Sequence, residues 1–396
     1  MTGPPRNFLV LVFGYSCSAY GNYLNLVALS LYTLAVTGGP LGVGIVMALR
    51  LGAGFGAGLV AGRLVNRFDR RRLMIGTDLV QATAMVVLAA GQGNVPLLVA
   101  AAVVLGAGNT LFTVALRSSV PAMVGQEQRV KANGRLVTGR SLGTVLGFAS
   151  AGIVVAAGGF DAAFYVNAAS FVVSAAALAA LRLPTRTEDH PATTQAHPVK
   201  GRLLAIAGPV IVLMVAVRGA DAFGSASHNM AIPLYANQLD PADPAFVMSQ
   251  FWASWAIGTL LAHQVVRRVA LGERAFALGT CLMAVSFVLA FAVPAGPALI
   301  GVALLAGLAD GFTEIVYTSR LQEAPDEQRG RLFGMSATAE TAGFAVGMVT
   351  SSAVLEVAPA LTVVTMFHGV AVLAAIGLLA VTFTRRRTAA PVVQES

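Results

Sequence analysis

The chain has 396 residues, of which 56% are hydrophobic and 11% are charged, whereas about a quarter of the residues of a soluble domain are charged. A chain this apolar would aggregate in water, so its composition excludes a soluble globular protein and indicates lipid as the solvent. The formal net charge is +8, but the basic residues are divided among many short loops, which argues against nucleic-acid binding.

Twelve apolar stretches are long enough to cross a membrane, since a spanning helix needs about 20 mostly apolar residues. They are residues 8–34, 41–61, 73–91, 95–116, 134–157, 161–181, 204–236, 245–266, 274–293, 297–318, 332–355 and 358–383. The first is too long for the core of a signal peptide and shows no convincing cleavage site, so we expect it to remain a span.

Positive charge is distributed unevenly between the loops. All but three of the 26 Lys and Arg residues fall in alternate loops or near the termini, and the opposite loops carry none. Because cytoplasmic loops retain Lys and Arg, the pattern predicts a multi-pass protein of the cytoplasmic (inner) membrane with both termini cytoplasmic. The exceptions, Arg50, Arg140 and Arg218, lie inside apolar stretches.

The longest polar stretch, residues 182–203, divides the chain into two halves. It is rich in Pro, Thr, His and mixed charge, which indicates a solvated cytoplasmic linker. It predicts an N-terminal six-helix bundle at 1–181 and a C-terminal six-helix bundle at 204–396.

The two halves share a sequence pattern in their fifth spans. An offset of 200 residues relates four identical pairs, namely Gly134 and Gly334, Thr138 and Thr338, Gly143 and Gly343, and Gly147 and Gly347. We therefore predict an all-α membrane protein with twelve transmembrane helices in two pseudo-symmetric six-helix bundles. Such a repeat suits alternating access with a site at the midplane between the halves.

The loop after the second span, Gly62 to Arg72, reads GRLVNRFDRRR. It resembles the signature of the major facilitator superfamily, Gly-x-Leu-Ala-Asp-Arg-x-Gly-Arg-Arg, and it stands where that family places it. Residues 121–147 and 164–171 look like the exporter branch that contains enterobactin and macrolide efflux proteins. The resemblance implies the major facilitator fold and the export of a small molecule.

Three positions depart from that family's patterns. Asn66 replaces an Asp that in the family helps to hold the cytoplasmic ends of helices 2 and 11 together, and Asp69 replaces the second Gly. Asn66 can still accept a hydrogen bond from a helix N-terminus, so it remains a gate candidate with Arg67 and Arg70. Antiporters of the family tend to carry Gly-Pro in helix 5, whereas Phe148 stands in place of the Pro here.

Charged side chains at bilayer depth are costly unless they are paired or wetted, so they are the first functional candidates. Arg218 and Asp221 are three residues apart on one helix face and can pair as a proton or substrate switch, or as an ion pair that only fixes packing. Asp310 and Glu314 repel each other at i and i+4, which suits proton carriage or a cationic substrate. Water could solvate Glu314, which lies near the cytoplasmic end.

Four further charged residues lie in predicted spans. Arg140 and Glu340 are equivalent under the 200-residue offset, and we interpret them as gate residues, with contacts inside their own bundles as the alternative. By the resemblance, Glu340 could meet the arginine-rich end of helix 2. Arg50 has no acid nearby in sequence, which suggests an anionic substrate group or a distant carboxylate. For Asp78 we favour a structural role, at the N-terminus of helix 3 or against the arginine loop.

Polar and aromatic side chains supply the remaining substrate candidates. In the first span they can line a cavity or cross-link helices, and they are Tyr20, Asn22, Tyr23 and Asn25. Trp252 and Trp255 can stack on a flat substrate or form an interfacial belt. For His228 and His368 we favour hydrogen bonds between helices over titration.

Glycines at four-residue spacing let helices approach closely. We interpret such rows as gate surfaces that close and separate, with simple packing as the alternative. The candidates are Gly58, Gly143, Gly147, Gly343 and Gly347.

The sequence contains no ATP motif, metal-ligand spacing or nucleophile–base pair, and Cys17 and Cys281 stand in separate spans. We therefore predict a non-enzymatic protein without cofactor or metal, driven by a proton gradient. The leading function is the export of small amphipathic or aromatic molecules, such as drugs or secreted metabolites, by a monomer in the bilayer. The alternatives are uptake or facilitated diffusion of a nutrient or lipid-like solute, and, less favoured, a membrane sensor.

Overall fold

The computed structural model describes residues 6–91, 93–181, 203–266, 272–324 and 326–388. These residues form ten assigned helices and, within the described ranges, no strand. The helices are α1 Arg6–Thr37, α2 Pro40–Arg67, α3 Arg70–Ala90, α4 Val95–Ala180, α5 Leu203–Leu239, α6 Pro244–Val266, α7 Glu273–Ala290, α8 Pro297–Gln322, α9 Asp326–Leu355 and α10 Ala360–Thr388. Residues 182–202 of the predicted linker lie outside the described residues.

Helix α4 is assigned over 86 residues but reverses direction at Gly159. This glycine has a φ of +69°, a backbone conformation that side chains with a Cβ rarely adopt. Within Lys131–Ala180, α4 runs parallel to α1 before Gly159, and after it the two are antiparallel. The close pairs are Gly143 with Ser16 and Gly147 with Tyr20 before the turn, and Ser170 with Gly21 and Ala177 with Gly14 after it.

Ten segments of the described chain are long and apolar enough to cross a membrane, whereas the sequence predicted twelve. Helix α1 is not among the ten, because polar residues such as Asn22 and Asn25 lower its mean hydropathy. Lys131–Ala180 counts as one segment of 50 residues although the chain turns within it. Apolar side chains such as Leu59 and Leu373 are 70% and 71% exposed, as expected where a helix faces lipid.

The chain divides into two compact units, which we describe separately. The first unit comprises Met1–Ala196 with Ala236–Ala253, and the second comprises His197–Tyr235 with Ser254–Ser396. Residues 236–253, which the predicted boundary assigns to the second half, therefore group with the first.

The arginine loop between α2 and α3 ties together helices of the first unit. The carboxylate of Asp69 accepts a hydrogen bond of 2.9 Å from the third backbone N–H after it and so caps α3, which gives this departure from the family signature a physical role. Arg70 donates to the carbonyl of Ser118 at 2.6 Å, and Arg71 donates to that of Leu178 at 2.8 Å. The second contact places a cation at the carbonyl end of α4.

Glycines bring α4 against α1 in the first unit. A Cβ placed on Gly143 would lie 2.7 Å from the carbonyl oxygen of Ser16, and one on Gly147 would lie 2.5 Å from that of Tyr20. Real Cβ atoms do not approach so closely, so glycine is needed for this contact. The row packs two helices of one unit, and its role as a gate surface stays a prediction.

The second unit repeats this contact between α9 and α5. A Cβ on Gly343 would clash with the carbonyl oxygen of Gly219, and one on Gly347 would lie 2.5 Å from that of Phe223. Here too the predicted gate row lies between helices of a single unit. Since both rows meet carbonyls four residues apart, Ser16 in α1 corresponds to Gly219 in α5.

Candidate functional site

One arginine of the second unit is surrounded by acidic side chains from three helices. Arg218 of α5 lies 3.3 Å from Asp221, one turn further along the same helix. It also forms an ion pair with Glu314 of α8, and its Nε lies 3.8 Å from Glu340 of α9. The predicted Arg218–Asp221 contact therefore forms, while Glu314 and Glu340 reach the same guanidinium from other helices.

A fourth carboxylate completes the acid cluster, by which we mean Asp221, Asp310, Glu314 and Glu340. Asp310 lies one turn before Glu314 on α8 and accepts a hydrogen bond of 3.1 Å from Nε1 of Trp255. It is close enough to Arg218 to interact with it electrostatically. On the other side, Glu340 accepts a hydrogen bond of 2.6 Å from the Ser336 hydroxyl.

The acid cluster holds more negative charge than its arginine can balance. Asp221 has a side chain only 7% exposed, whereas the side chain of Glu314 is 53% exposed. Carboxylates in an apolar setting cannot all remain ionised beside one cation, so one of the buried acids has reason to hold a proton. The arrangement is suited to binding and releasing protons.

The first unit contains a cavity with a volume of about 340 Å³. Its lining consists of Tyr15, Ser18, Ala19, Asn22, Tyr23, Leu26, Arg50, Gln81, Asn109, Thr110, Phe112, Thr113, Val114 and Arg140. We call it the arginine cavity. None of its lining residues is Asp or Glu, so its charged groups are both cationic.

The two arginines of the cavity differ in their partners. Arg140 donates to the Tyr23 hydroxyl at 2.8 Å, and its guanidinium lies 6.0 Å from the centre of the Tyr23 ring. Arg50 has a buried Nη1 with no hydrogen-bond partner among the described residues. The side-chain oxygens of Asn22 and Gln81 are likewise buried without a partner there.

The arginine cavity and the acid cluster occupy matching places in the two units. A Cβ on Gly106 would clash with the carbonyl of Arg50, and one on Gly307 would clash with that of Trp255. Two helices therefore cross in the same way in each unit, and Arg50 of the first unit corresponds in position to Trp255 of the second. Counting along from the two glycines matches Asn109 with Asp310 and Thr113 with Glu314, and the 200-residue offset matches Arg140 with Glu340.

Several predicted substrate residues lie elsewhere in this structure. Asn25 is fully buried, and the Tyr20 hydroxyl accepts a hydrogen bond of 3.1 Å from the Ser150 hydroxyl; neither residue lines the cavity. Trp252 stacks on Phe148 with ring centroids 5.6 Å apart, whereas the indole of Trp255 bonds the acid cluster. Of the predicted substrate set, the cavity contains Asn22, Tyr23 and Arg50.

The gate candidates of the arginine loop and α3 also have defined surroundings. Asn66 is exposed, and the guanidinium of Arg67 lies 5.9 Å from the Phe68 ring. Asp78 is fully buried eight residues into α3, and neither of its carboxyl oxygens has a hydrogen-bond partner among the described residues. It therefore does not cap α3 and does not pair with the arginine loop, because it lies two turns beyond both.

The remaining gate candidates lie inside their own units. Arg140 lines the arginine cavity and Glu340 contacts Arg218, while a gate role for either residue stays a prediction. Gly58 faces only the methyl group of Thr110, where an added Cβ would lie at 3.6 Å. This position has room for a side chain, so it does not need glycine for packing.

The two histidines form a pair in the second unit. Nδ1 of His228 on α5 lies 3.1 Å from Nε2 of His368 on α10, and both side chains are buried. The Phe287 ring stacks on His228 with centroids 3.8 Å apart. The contact matches the favoured expectation of a hydrogen bond between helices.

Sequence reasoning missed five polar residues of the arginine cavity, namely Ser18, Gln81, Asn109, Thr110 and Thr113. Asn109 and Thr113 lie four residues apart in the fourth predicted span and so share a helix face. An amide at bilayer depth is a signal that could have identified this face.

Comparison with known proteins identifies the class of this membrane protein. The family model of the Major Facilitator Superfamily matches residues 11–348, and the chain belongs to that superfamily. An uncharacterized MFS-type transporter of Mycobacterium tuberculosis, found in two strains, is 26% identical over 306 residues, which cover 74% of this chain and 69% of the relative. The protein is therefore a multi-pass membrane transporter of some solute, and members of its family are typically carriers without enzymatic activity.

Solved structures agree in fold. The nucleoside transporter NupG superposes with a TM-score of 0.75 at 16% identity, covering 95% of this chain and 99% of that one. The POT family transporter PepTSo gives 0.73 at 13% identity, with 98% and 99% covered. A bacterial homologue of the iron transporter ferroportin, in an inward-facing state, gives 0.72 at 15% identity, with 96% and 99% covered. At these identities the likeness shows the fold alone.

Proposed function

We propose that the protein is a proton-coupled secondary active exporter of small amphipathic or aromatic molecules, such as drugs or secreted metabolites. The observation that carries this proposal is the acid cluster, in which Arg218 contacts Asp221, Glu314 and Glu340. A transporter that uses a proton gradient needs a buried group whose protonation changes its contacts. The charge imbalance of the cluster supplies such a group without a metal or cofactor.

The coupling step is a change of partner at Arg218. When a proton enters the cluster and neutralises Asp221, Arg218 loses one counterion and its remaining attraction is to Glu314 and Glu340. That change favours a different arrangement of α5, α8 and α9, and so couples protonation to alternating access. Inward proton flux then drives the release of substrate on the outer side.

The proposal includes a full architecture of twelve spans in two pseudo-symmetric six-helix bundles. The reversal of α4 at Gly159 and the matched glycine contacts of the two units support it. The positive-inside pattern supports cytoplasmic termini in the cytoplasmic membrane. We propose a monomer that binds a small molecule and needs no cofactor other than the proton gradient, nor any nucleic acid.

A second candidate is a carrier for uptake or facilitated diffusion of a nutrient or lipid-like solute. Asn66 and Phe148 leave room for it, because Asn66 replaces an Asp of the superfamily signature and Phe148 replaces a Pro that antiporters of the family tend to carry. The two candidates predict opposite directions of net flux under the same gradient.

Proton-coupled export can be tested in inside-out membrane vesicles whose respiration acidifies the lumen. Ethidium, erythromycin and benzenesulfonate are added in turn while a fluorescent dye reports the pH gradient. Export predicts that at least one solute dissipates the gradient, and that Asp221→Asn or Asp310→Asn prevents this. Asp243→Asn, a substitution at an exposed cap of α6, is the matched control.

Two outcomes contradict the proposal. Undiminished gradient-driven transport in both cluster variants would remove proton coupling from this site. Net flux only in right-side-out vesicles, into the lumen, would favour the uptake carrier.

A further inference from the structure

We propose that the arginine cavity binds the anionic group of an organic anion, a carboxylate or a phosphate, through Arg50 and Arg140. The inference rests on the proposed function in one respect, since it takes the bound molecule to be the transported one. It narrows the substrate from amphipathic or aromatic molecules in general to those that carry negative charge.

The first argument is the unbalanced charge of the cavity. Arg50 and Arg140 both line it, no lining residue is Asp or Glu, and the buried Nη1 of Arg50 has no hydrogen-bond partner among the described residues. A cation at this depth is unfavourable unless something balances it. A bound anion would supply both the missing charge and the missing acceptor.

The second argument is the chemistry of the donors. A guanidinium presents a planar fork of N–H groups that matches the two oxygens of a carboxylate or phosphate. The Tyr23 hydroxyl accepts a bond from Arg140 at 2.8 Å, so its own proton remains available as a further donor toward the cavity. Tyr23 therefore adds a neutral donor to the two cationic ones.

The third argument is the wall beside the arginines. Tyr15 and Phe112 both line the cavity, and their rings stack with centroids 6.2 Å apart and an angle of 11° between planes. Their near-parallel rings give the cavity an apolar side suited to a flat group. A volume of about 340 Å³ lies in the range of small-ligand pockets.

The fourth argument comes from the repeat. The matching places in the second unit hold Glu340 for Arg140, Asp310 for Asn109 and Glu314 for Thr113. The first unit thus has a cationic or neutral side chain wherever the second has a carboxylate. Because it lacks these carboxylates, the arginine cavity is suited to binding an anion, whereas the acid cluster is suited to binding protons.

The experiment measures equilibrium binding to the detergent-purified full chain by thermal shift, with no pH gradient. The probes are benzoate and phenyl phosphate as anions, benzamide as the neutral match of benzoate, and benzylamine as the cation. We expect a saturable rise in Tm with the two anions, and at least about tenfold weaker apparent binding of benzamide and benzylamine. Equal binding of benzamide and benzoate would overturn the proposal.

Variants assign the binding to the arginines. Arg50→Gln and Arg140→Gln should each weaken benzoate binding by about tenfold or more, because each removes a charge-assisted contact. Arg63→Gln on α2 and Arg135→Gln on α4 make the same change at exposed positions outside the cavity and should bind benzoate as the parent does. Unchanged binding in both cavity variants, with selective binding in the parent, would place the anion elsewhere and overturn the proposal.

A further variant and readout keep the test decisive. If Arg50→Gln does not give a cooperative melt, Arg50→Lys keeps the charge but loses the fork, and it should bind benzoate with intermediate affinity. If the single variants Arg50→Lys and Arg140→Gln both bound benzoate as tightly as the parent, the result would overturn the proposal. The two proposals fail separately. If the vesicle experiment showed no proton-coupled transport, selective benzoate binding could still be observed. If the cavity did not prefer anions, gradient-driven transport of ethidium or erythromycin could still be observed.

Discussion

The two units differ in charge at matching positions of one helix framework. In the first unit, Arg50 and Arg140 line a cavity without a carboxylate. In the second, four carboxylates gather around Arg218. Because the same glycine-to-carbonyl contacts occur beside the arginine cavity and beside the acid cluster, the two units have similar backbones there. They differ in the side chains at those positions. Under the two proposals, the second unit binds and releases protons and the first binds an anionic group of the substrate.

The largest effect is expected from removing the single cation of the acid cluster. Arg218→Gln leaves partly buried carboxylates unbalanced, and breaking such a pair typically costs about 3–5 kcal/mol. The loss should be greatest at neutral pH and should shrink as the pH falls, because protonation removes the repelling charges. Thermal melts at neutral and acidic pH measure this, with Arg274→Gln as the control, since that residue contacts the Thr382 carbonyl and the Phe383 ring rather than a carboxylate of the acid cluster. An equal loss at both pH values would contradict the account.

Reversing a charge should exchange the ligand preference of the first unit. Arg140→Glu copies the residue found at the matching place in the second unit. We expect benzoate binding to fall by about 100-fold, since a repulsive contact replaces an attractive one worth about 1.5–3 kcal/mol. Benzylamine binding should rise in the same thermal-shift titration. A variant that still prefers benzoate would show that Arg140 does not set the charge preference.

The common framework itself can be tested with two glycines. Gly143→Ala and Gly347→Ala each place a Cβ within 2.7 Å or less of a backbone carbonyl, and each should lose about 1–3 kcal/mol of stability. Similar drops in Tm are expected in both units. Gly134→Ala and Gly334→Ala have open space at the new Cβ and should be neutral or slightly stabilising. A drop in one unit alone would argue against matched contacts.

The smallest effect is expected at the arginine loop. Asp69→Ala removes the cap of α3 and should cost about 1 kcal/mol. Asp69→Asn retains an acceptor and should stay close to the parent. Thermal melts of the three proteins provide the comparison, and equal stability of the Ala variant would show that the cap contributes nothing.

The sequence predicted the features that depend on neighbours along one helix. The Arg218–Asp221 contact follows from a spacing of three residues, and the spans follow from apolar length. Contacts between helices could not be obtained in this way. That Glu314 and Glu340 reach Arg218, or that Trp255 bonds Asp310, depends on the rotation and register of whole helices.

The helices of this protein give little information on rotation, because lipid-exposed and buried faces are both apolar. The gate roles of Arg140 and Glu340, inferred from the 200-residue offset, and of the glycine rows, inferred from their spacing, therefore stay predictions. Glycine permits a close approach but does not say which helix approaches. Only the structure shows that Gly143 meets α1 and that Gly343 meets α5.

Infrared spectroscopy of protonated carboxyl groups is the most direct test of the central claim, that the acid cluster holds a protonated carboxyl group at neutral pH. The carbonyl stretch of a protonated carboxyl group would be recorded at neutral pH in the parent, Asp221→Asn, Asp310→Asn and the control Asp69→Asn. The account predicts a band in the parent that is reduced in one or both cluster variants and unchanged in the control. A band of equal size in all four proteins, or none in the parent, would contradict it.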